Sequence, residues 1–177
     1  FTFTTERFRA SALRVASMLR LVLPLAANSD GPKAERGAAA SFELLTPQGP
    51  IQLVNVHLAS PHTGLITFRD DSGALLAKNL ERRWDQSAMV RSLVDQLPRP
   101  VLLAGDFNTT DDSPIFVEHW SDFTDAFARC GWGLGLTYIN RTTQIRIDHI
   151  LLDRSWLPIR FWLEPEVGSP HRPIVAD

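Results

Sequence analysis

The sequence predicts an α/β fold, and three observations carry that expectation. Val101-Leu102-Leu103-Ala104 is an apolar run without polar interruption, with Pro98 and Pro100 before it and Gly105 after it, as in a strand buried on both faces. Over residues 75–97, Leu80, Trp84, Val90, Leu93, Val94 and Leu97 recur at helical spacing, while Glu81, Arg82, Arg83, Asp85 and Arg91 fall largely elsewhere. Ahead of that helix lies an extended arm, Ile51-Gln52-Leu53-Val54-Asn55-Val56-His57-Leu58. Strand, loop, helix and strand in succession is the α/β rhythm.

In chain order, residues 5–25 satisfy two patterns. Phe8, Ala12, Val15, Leu19 and Val22 fit a helical face, while Leu19, Leu21, Leu23 and Leu25 alternate as in a strand. The reading is an irregular or helical start followed by a strand over 18–23. Residues 28–37 form a polar loop around Asp30-Gly31-Pro32. Residues 38–46 and 52–58 flank Pro47-Gln48-Gly49-Pro50, a hairpin pattern whose second arm sets Asn55 and His57 on one face. Residues 59–77 are a long loop, a kind that tends to be functional in compact domains. Asp112-Ser113-Pro114 starts a helix, with Ser113 as cap and Pro114 at the first helical position, ending near Trp120. Asp125-Ala126-Phe127 gives a short helical turn stopped by Gly131. Gly131, Gly133 and Gly135 lack the spacing of a dinucleotide fingerprint and read as a flexible loop. Residues 145–152 form a strand, and the chain closes through Arg160-Phe161-Trp162-Leu163 and Ser169-Pro170-His171-Arg172-Pro173-Ile174-Val175-Ala176.

A chain of 177 residues is one domain, 1–177, with room for a sizeable core. Its net charge of −2 gives no global basic field for non-specific nucleic-acid binding. Cys130 is the sole cysteine, which excludes an intrachain disulfide and a cysteine-based zinc site. No apolar run reaches the length of a spanning helix. The sequence leaves the compartment open. Phe1 opens the chain without a methionine or a signal-like segment, so the chain is read as an excerpt of a longer protein whose upstream part could carry a membrane or export segment.

The chemistry-bearing residues sit where strands end. Asp106 and Asn108 emerge from the buried strand in Gly105-Asp106-Phe107-Asn108, one able to accept a proton or bind a hard cation, the other to bond a phosphate oxygen or complete a metal shell. Alone, such a sequence is as often a turn. Asp148 lies in an apolar strand and needs a partner. His171 is the candidate, since a buried Asp–His pair fixes the ring's tautomer; Arg146 or a backbone amide is the plainer alternative. His57 alone reads as a core histidine, and His62, His119 and His149 carry no functional signal.

Taken in order, Asn55-Val56-His57-Leu58, Gly105-Asp106-Phe107-Asn108, Arg146-Ile147-Asp148-His149 and Ser169-Pro170-His171-Arg172-Pro173 resemble the endonuclease/exonuclease/phosphatase superfamily, the fold of DNase I, apurinic endonucleases, inositol-polyphosphate phosphatases and neutral sphingomyelinases. Arg36-Gly37-Ala38, Asp125-Ala126-Phe127 and Leu136-Thr137-Tyr138 fit as well, so the likeness spans roughly residues 36–177. It implies a four-layer sandwich of two packed mixed β-sheets flanked by helices, and Mg²⁺- or Mn²⁺-dependent hydrolysis of phosphoesters. His57 would then contact the scissile phosphate. Asp106 would align or deprotonate the attacking water, with Asn108 beside it on phosphate or metal. Asp148 would orient His171, which stabilises charge on the phosphate.

Two departures qualify the resemblance. The last motif is usually Ser-Asp-His, whose Asp helps hold the metal, and here it reads Ser169-Pro170-His171. Either the metal site is weakened, or Asp111, Asp112 or Glu166 substitutes. The family's first strands, ending in an Asn and a Glu ligand, have no counterpart, since Glu6 and Glu43 lack the context. The expectation is therefore a C-terminal portion that binds Mg²⁺ weakly, hydrolyses slowly or not at all, and exposes enough sheet to self-associate. Its substrate is a nucleic acid, a phospholipid or a small phosphate ester, with a non-DNA ester favoured. Arg82, Arg83 and Arg91 read as a solvated helix face before they read as a basic patch, and only Tyr138 and Trp132 offer base-stacking rings. No obligate protein partner is evident. The alternative is a catalytically lapsed domain that keeps the fold for binding.

Overall fold

The structure, a computed structural model, describes residues 19–25, 38–61 and 72–177, with 19–25 and Ser72 as backbone only. Expectations for residues 1–18, for the loop 28–37, and for Glu6, Arg36, Gly37 and His62 lie outside the described residues.

The expected α/β architecture is present. Strand β2 (Ala39–Thr46) pairs antiparallel with both β1 (Leu19–Leu25) and β3 (Gly49–His57), and β2 and β3 are joined at Pro47 and Gln48. Helix α1 (Ser72–Asp95) then carries the chain to β4 (Val101–Asp106), which pairs in parallel with β3, as a strand–helix–strand crossover requires. Next come α2 (Pro114–Trp120), β5 (Thr124–Asp125) and α3 (Ala126–Cys130), then the short strands β6 (Tyr138–Ile139) and β7 (Gln144–Ile145). β8 (Asp148–Leu152), β9 (Phe161–Leu163) and β10 (Ile174–Ala176) complete the chain. Among the described residues, β1-β2-β3-β4-β8-β5 form one six-stranded mixed sheet, and β9–β10 and β6–β7 form two-stranded ribbons. Among the described residues, these ribbons are the strands outside the six-stranded sheet. No helix of the described residues is long and apolar enough to cross a membrane.

Period-two alternation gives the six-stranded sheet two unlike faces. Ser41, Val54, Leu103 and Leu151 lie on one rung and are fully covered by Val90 and Val94 of α1, Phe116 and Trp120 of α2, and Phe107. The adjacent rung, Phe42, Leu53, Leu102 and Leu152, faces the other way and is mostly half-buried. The starts of α2 and α3 follow from their caps. Ser113 Oγ accepts from Phe116 N–H at 3.2 Å, and Asp125 Oδ1 accepts from Phe127 N–H at 2.8 Å.

Two local expectations differ from what is observed. The strand expected over 145–152 is broken at Arg146 and Ile147, because Ile147 leaves the ladder to accept from Phe107 N–H (2.9 Å) and to donate to Thr137 Oγ1 (3.1 Å). Leu80 and Trp84, expected on the buried face of α1, are exposed, while Val90 and Val94 are buried. At that end of the helix the inward positions are taken by Asn79, Arg83 and Gln86, whose partners are backbone polar groups.

Candidate active site

Three of the residues singled out in the sequence fall on one rung. His57 pairs with Asp106 across β3 and β4, and Asp106 with Asp148 across β4 and β8, so register alone sets them side by side on the open face at the carboxyl ends of the two parallel strands. Between Asp106 and Asn108, Phe107 points the opposite way. It packs edge-on against Trp120 (5.4 Å between centroids) and His149 (5.5 Å), which anchors the turn carrying the two polar residues.

His171 arrives from the connection between β9 and β10. Its Nδ1 lies 3.0 Å from Asp148 Oδ2, so Asp148 accepts and the ring's Nε2 is directed at Asp106, 3.9 Å from Oδ2. His57 Nε2 is also 3.9 Å from Asp106 Oδ2, which places that carboxylate between two imidazoles. The expected Asp148–His171 pair is therefore present, and Arg146, the alternative partner, instead pairs with Asp125 and Asp111. Asp106 is largely covered, at 16% side-chain exposure, whereas His57 stands open at 66%. Burial first, and then the charge of Asp148, raise the Asp106 carboxyl above its usual range.

Asn108 lies beneath Asp106. Its backbone is in the left-handed region (φ 51°), its N–H donates to Asp106 Oδ1 (2.8 Å), and its carboxamide NH₂ donates to Asp106 Oδ2 (3.0 Å) and to Leu58 O (2.8 Å). Asn108 thus fixes both oxygens of Asp106 and ties β4's exit to β3's.

Several supporting residues carried no signal of this kind in the sequence. Thr137, fully buried, accepts at Oγ1 from Ile147 N–H (3.1 Å) and Asp148 N–H (3.0 Å) and so seats Asp148. Tyr138 packs edge-on against His171 at 4.8 Å, which gives this ring a contact in the site, while Trp132 stands 95% exposed in the glycine loop. Arg83, read as a solvated surface residue, donates from Nη2 to Asn108 O at 2.7 Å, and Arg91 pairs with Asp95 and Asp122. His149 is the satisfied core histidine expected. Its Nε2 donates to Thr109 O (2.9 Å), and its Nδ1 faces Asp125 Oδ2 (2.8 Å). Burial alone would push Asp125 up, but the His149 hydrogen bond and the charges of His149 and Arg146 outweigh it and hold the carboxyl at about 2. The β6–β7 ribbon, the β9–β10 connection and this buried network converge on the rung without contributing a further carboxylate. Of the substitutes considered for the absent motif Asp, Asp111 is spent on Arg146, and Asp112 and Glu166 are exposed.

Among the described residues, Asp106, Asp148 and His171 form a group whose ligand atoms lie within 4.8 Å of one another. The two carboxylates are hard donors suited to a small divalent cation, and such ions need only one or two carboxylates when phosphate and water supply the rest.

Solved structures share the architecture. A mannosyl-6-phosphatase from Bacteroides thetaiotaomicron matches with a TM-score of 0.59 and 18% identity over 90% of this chain and 66% of that one. A 3′ phosphatase from Neisseria bound to a product DNA hairpin matches with a TM-score of 0.57 and 15% identity over 93% and 72%. An endonuclease/exonuclease/phosphatase from Bacteroides vulgatus matches with a TM-score of 0.58 and 18% identity over 89% and 65%. The chain thus spans about two thirds of the length of several structures it matches. At these identities the likeness establishes the fold. A search of curated proteins finds no match. The match that carries identity is to the Endonuclease/Exonuclease/phosphatase family, over residues 28–171, and it coincides with the four strand-end elements that build the site, so the chain belongs to that family.

Proposed function

We propose that this site hydrolyses phosphoesters with a hard divalent cation bound at its carboxylates. The observation that carries the reading is the His57–Asp106–Asp148 rung with His171 closing over it. Asp106 and Asp148 would hold Mg²⁺ or Mn²⁺, with Asn108 beside them, and such an ion would supply positive charge against the phosphoryl oxygens. His57, open to solvent, meets the phosphate. Asp106 orients the attacking water and takes its proton. Asp148 holds the Nδ1 proton of His171, so that Nε2 serves the phosphate's developing charge. The substrate is a phosphoester without extended duplex contacts, in keeping with the net charge of −2 and the pairing of Arg91 with carboxylates.

The test is turnover of p-nitrophenyl phosphate and bis(p-nitrophenyl) phosphate by the full chain in Mn²⁺, alongside the thermal shift Mn²⁺ produces. Metal-dependent turnover and a raised Tm, both lost in Asp106→Asn, are expected; turnover retained in that variant removes Asp106 from the mechanism. A second reading, a lapsed domain that binds phosphoesters without cleaving them, draws on Pro170 in place of the motif's carboxylate. Saturable binding of the diester without turnover would favour it.

A further inference from the structure

The two strands that deliver His57 and Asp106 leave the sheet side by side, and where they leave, their backbone polar groups lose ladder partners and need others. Helix α1 supplies them. Gln86 Oε1 accepts from Ala59 N–H (2.8 Å), Asn79 Nδ2 donates to Ser60 O (3.1 Å), and Arg83 Nη2 donates to Asn108 O (2.7 Å). These residues are spaced i, i+4 and i+7, one stripe of a helix. The same stripe turns apolar further on, at Val90 and Val94, which are fully buried and lock the helix to the sheet.

We propose that this polar stripe is a positioning device for the site, and that Arg83 is its central positioning residue: by holding the Asn108 carbonyl it keeps Asn108 in the left-handed conformation from which both oxygens of Asp106 are fixed. The chain of contacts is continuous. Arg83 holds Asn108 O, and Asn108 N–H and NH₂ hold Asp106 Oδ1 and Oδ2. The NH₂ group also reaches Leu58 O, next to the Ala59 and Ser60 groups that Gln86 and Asn79 hold. A left-handed asparagine costs energy without such restraint, and freed of it the turn samples conformations in which Asp106 no longer faces His57 and His171. Arg83 turns Nη2 to a backbone carbonyl, and the role proposed for it falls on the alignment of Asp106 and not on affinity for phosphate.

The proposal rests on the phosphoesterase reading for its kinetic arm only. Backbone amide exchange is followed by NMR in the full chain, wild type against Arg83→Met and Arg83→Lys, together with kcat and KM for bis(p-nitrophenyl) phosphate in Mn²⁺. In Arg83→Met, exchange at Asn108 is expected to rise about tenfold to a hundredfold, the loss of one charge-assisted hydrogen bond, while Leu103 in the core strand is unchanged. The Lys variant, which keeps a charged donor, recovers part of the protection. kcat falls with KM within about twofold. Unchanged exchange at Asn108, an equal rise at Leu103, or a raised KM at constant kcat each overturns the proposal. A wild type that turns over no diester defeats the phosphoesterase reading, and the exchange arm still decides the role of Arg83.

Discussion

Asp106 and Asp125 are both well covered carboxylates with opposite fates. Burial and the neighbouring Asp148 charge raise Asp106, so the folded state binds its proton more tightly than the unfolded chain does, and this group's contribution to stability falls as pH rises through its raised value. Asp125 is held at about 2 by His149 and Arg146 despite its burial, so its contribution is present above the unfolded value and is lost as pH falls from about 4 through about 2. A displacement of that size is worth about 2 kcal/mol, about half of it gone by pH 3. Asp125→Asn is therefore expected to destabilise the fold at pH 7, with its gap to wild type closing over that acid range in urea titrations. A constant gap would mean that the pairing of Asp125 contributes no charge-dependent stability. At this scale the sequence was legible where one strand supplied the signal: Asp148 in an apolar run demanded a partner, and His171 is that partner. It offered Arg146 only as an alternative partner for Asp148, because the carboxylates that do pair with it, Asp111 and Asp125, come from a loop and a helix cap with no local mark of the encounter.

The elements were read from periodicity, and the misread face of α1 has a definite cause. Hydrophobic spacing locates the buried face of a helix only where that face meets apolar groups. The first half of α1 meets the exits of β3 and β4 instead, so its inward residues are Asn79, Arg83 and Gln86, and Leu80 and Trp84 are left outside. The second half meets the core and obeys the pattern. Period-two alternation served better, since it sends Asp148 to the site and His149 to the core from adjacent positions. In β4 the decisive position is Gly105. Its backbone lies at φ +146°, and a Cβ there would stand 2.0 Å from Val56 O of the parallel neighbour. Glycine is thus what lets β3 and β4 approach closely just before the site. Gly105→Ala is expected to cost about 3 kcal/mol or more in urea unfolding, from backbone strain and forced separation of the strands, and to lower turnover in whatever fraction remains folded, because His57 and Asp106 lose their common rung. A variant as stable and as active as wild type would show that the two strands tolerate the separation.

Across the molecule, site and core occupy opposite sides of one sheet. The helix side holds the packed core, with Val54, Leu103 and Leu151 fully buried beneath α1 and α2. The open side holds the His57–Asp106–Asp148 rung and, behind it, a row of half-buried residues that includes Leu53 and Leu102. The two-faced pattern explains why the fold class was readable while the unequal burial of the two faces was not: an apolar run such as 101–104 reports that both faces can be covered, not how fully each one is. It also separates two neighbouring leucines. Leu103→Ala removes a side chain from the packed side and leaves a cavity between sheet and helices, at a cost of about 4 kcal/mol. Leu102→Ala, one residue away on the half-buried row, loses less buried area and leaves a hollow that solvent can fill, at a cost of about 1–2 kcal/mol. Urea titrations of the two variants at equal protein concentration measure the difference. Equal losses would mean that the open face carries as much of the folding free energy as the helix side, and that the ribbons β6–β7 and β9–β10 pack onto Leu102 as tightly as α1 and α2 pack onto Leu103.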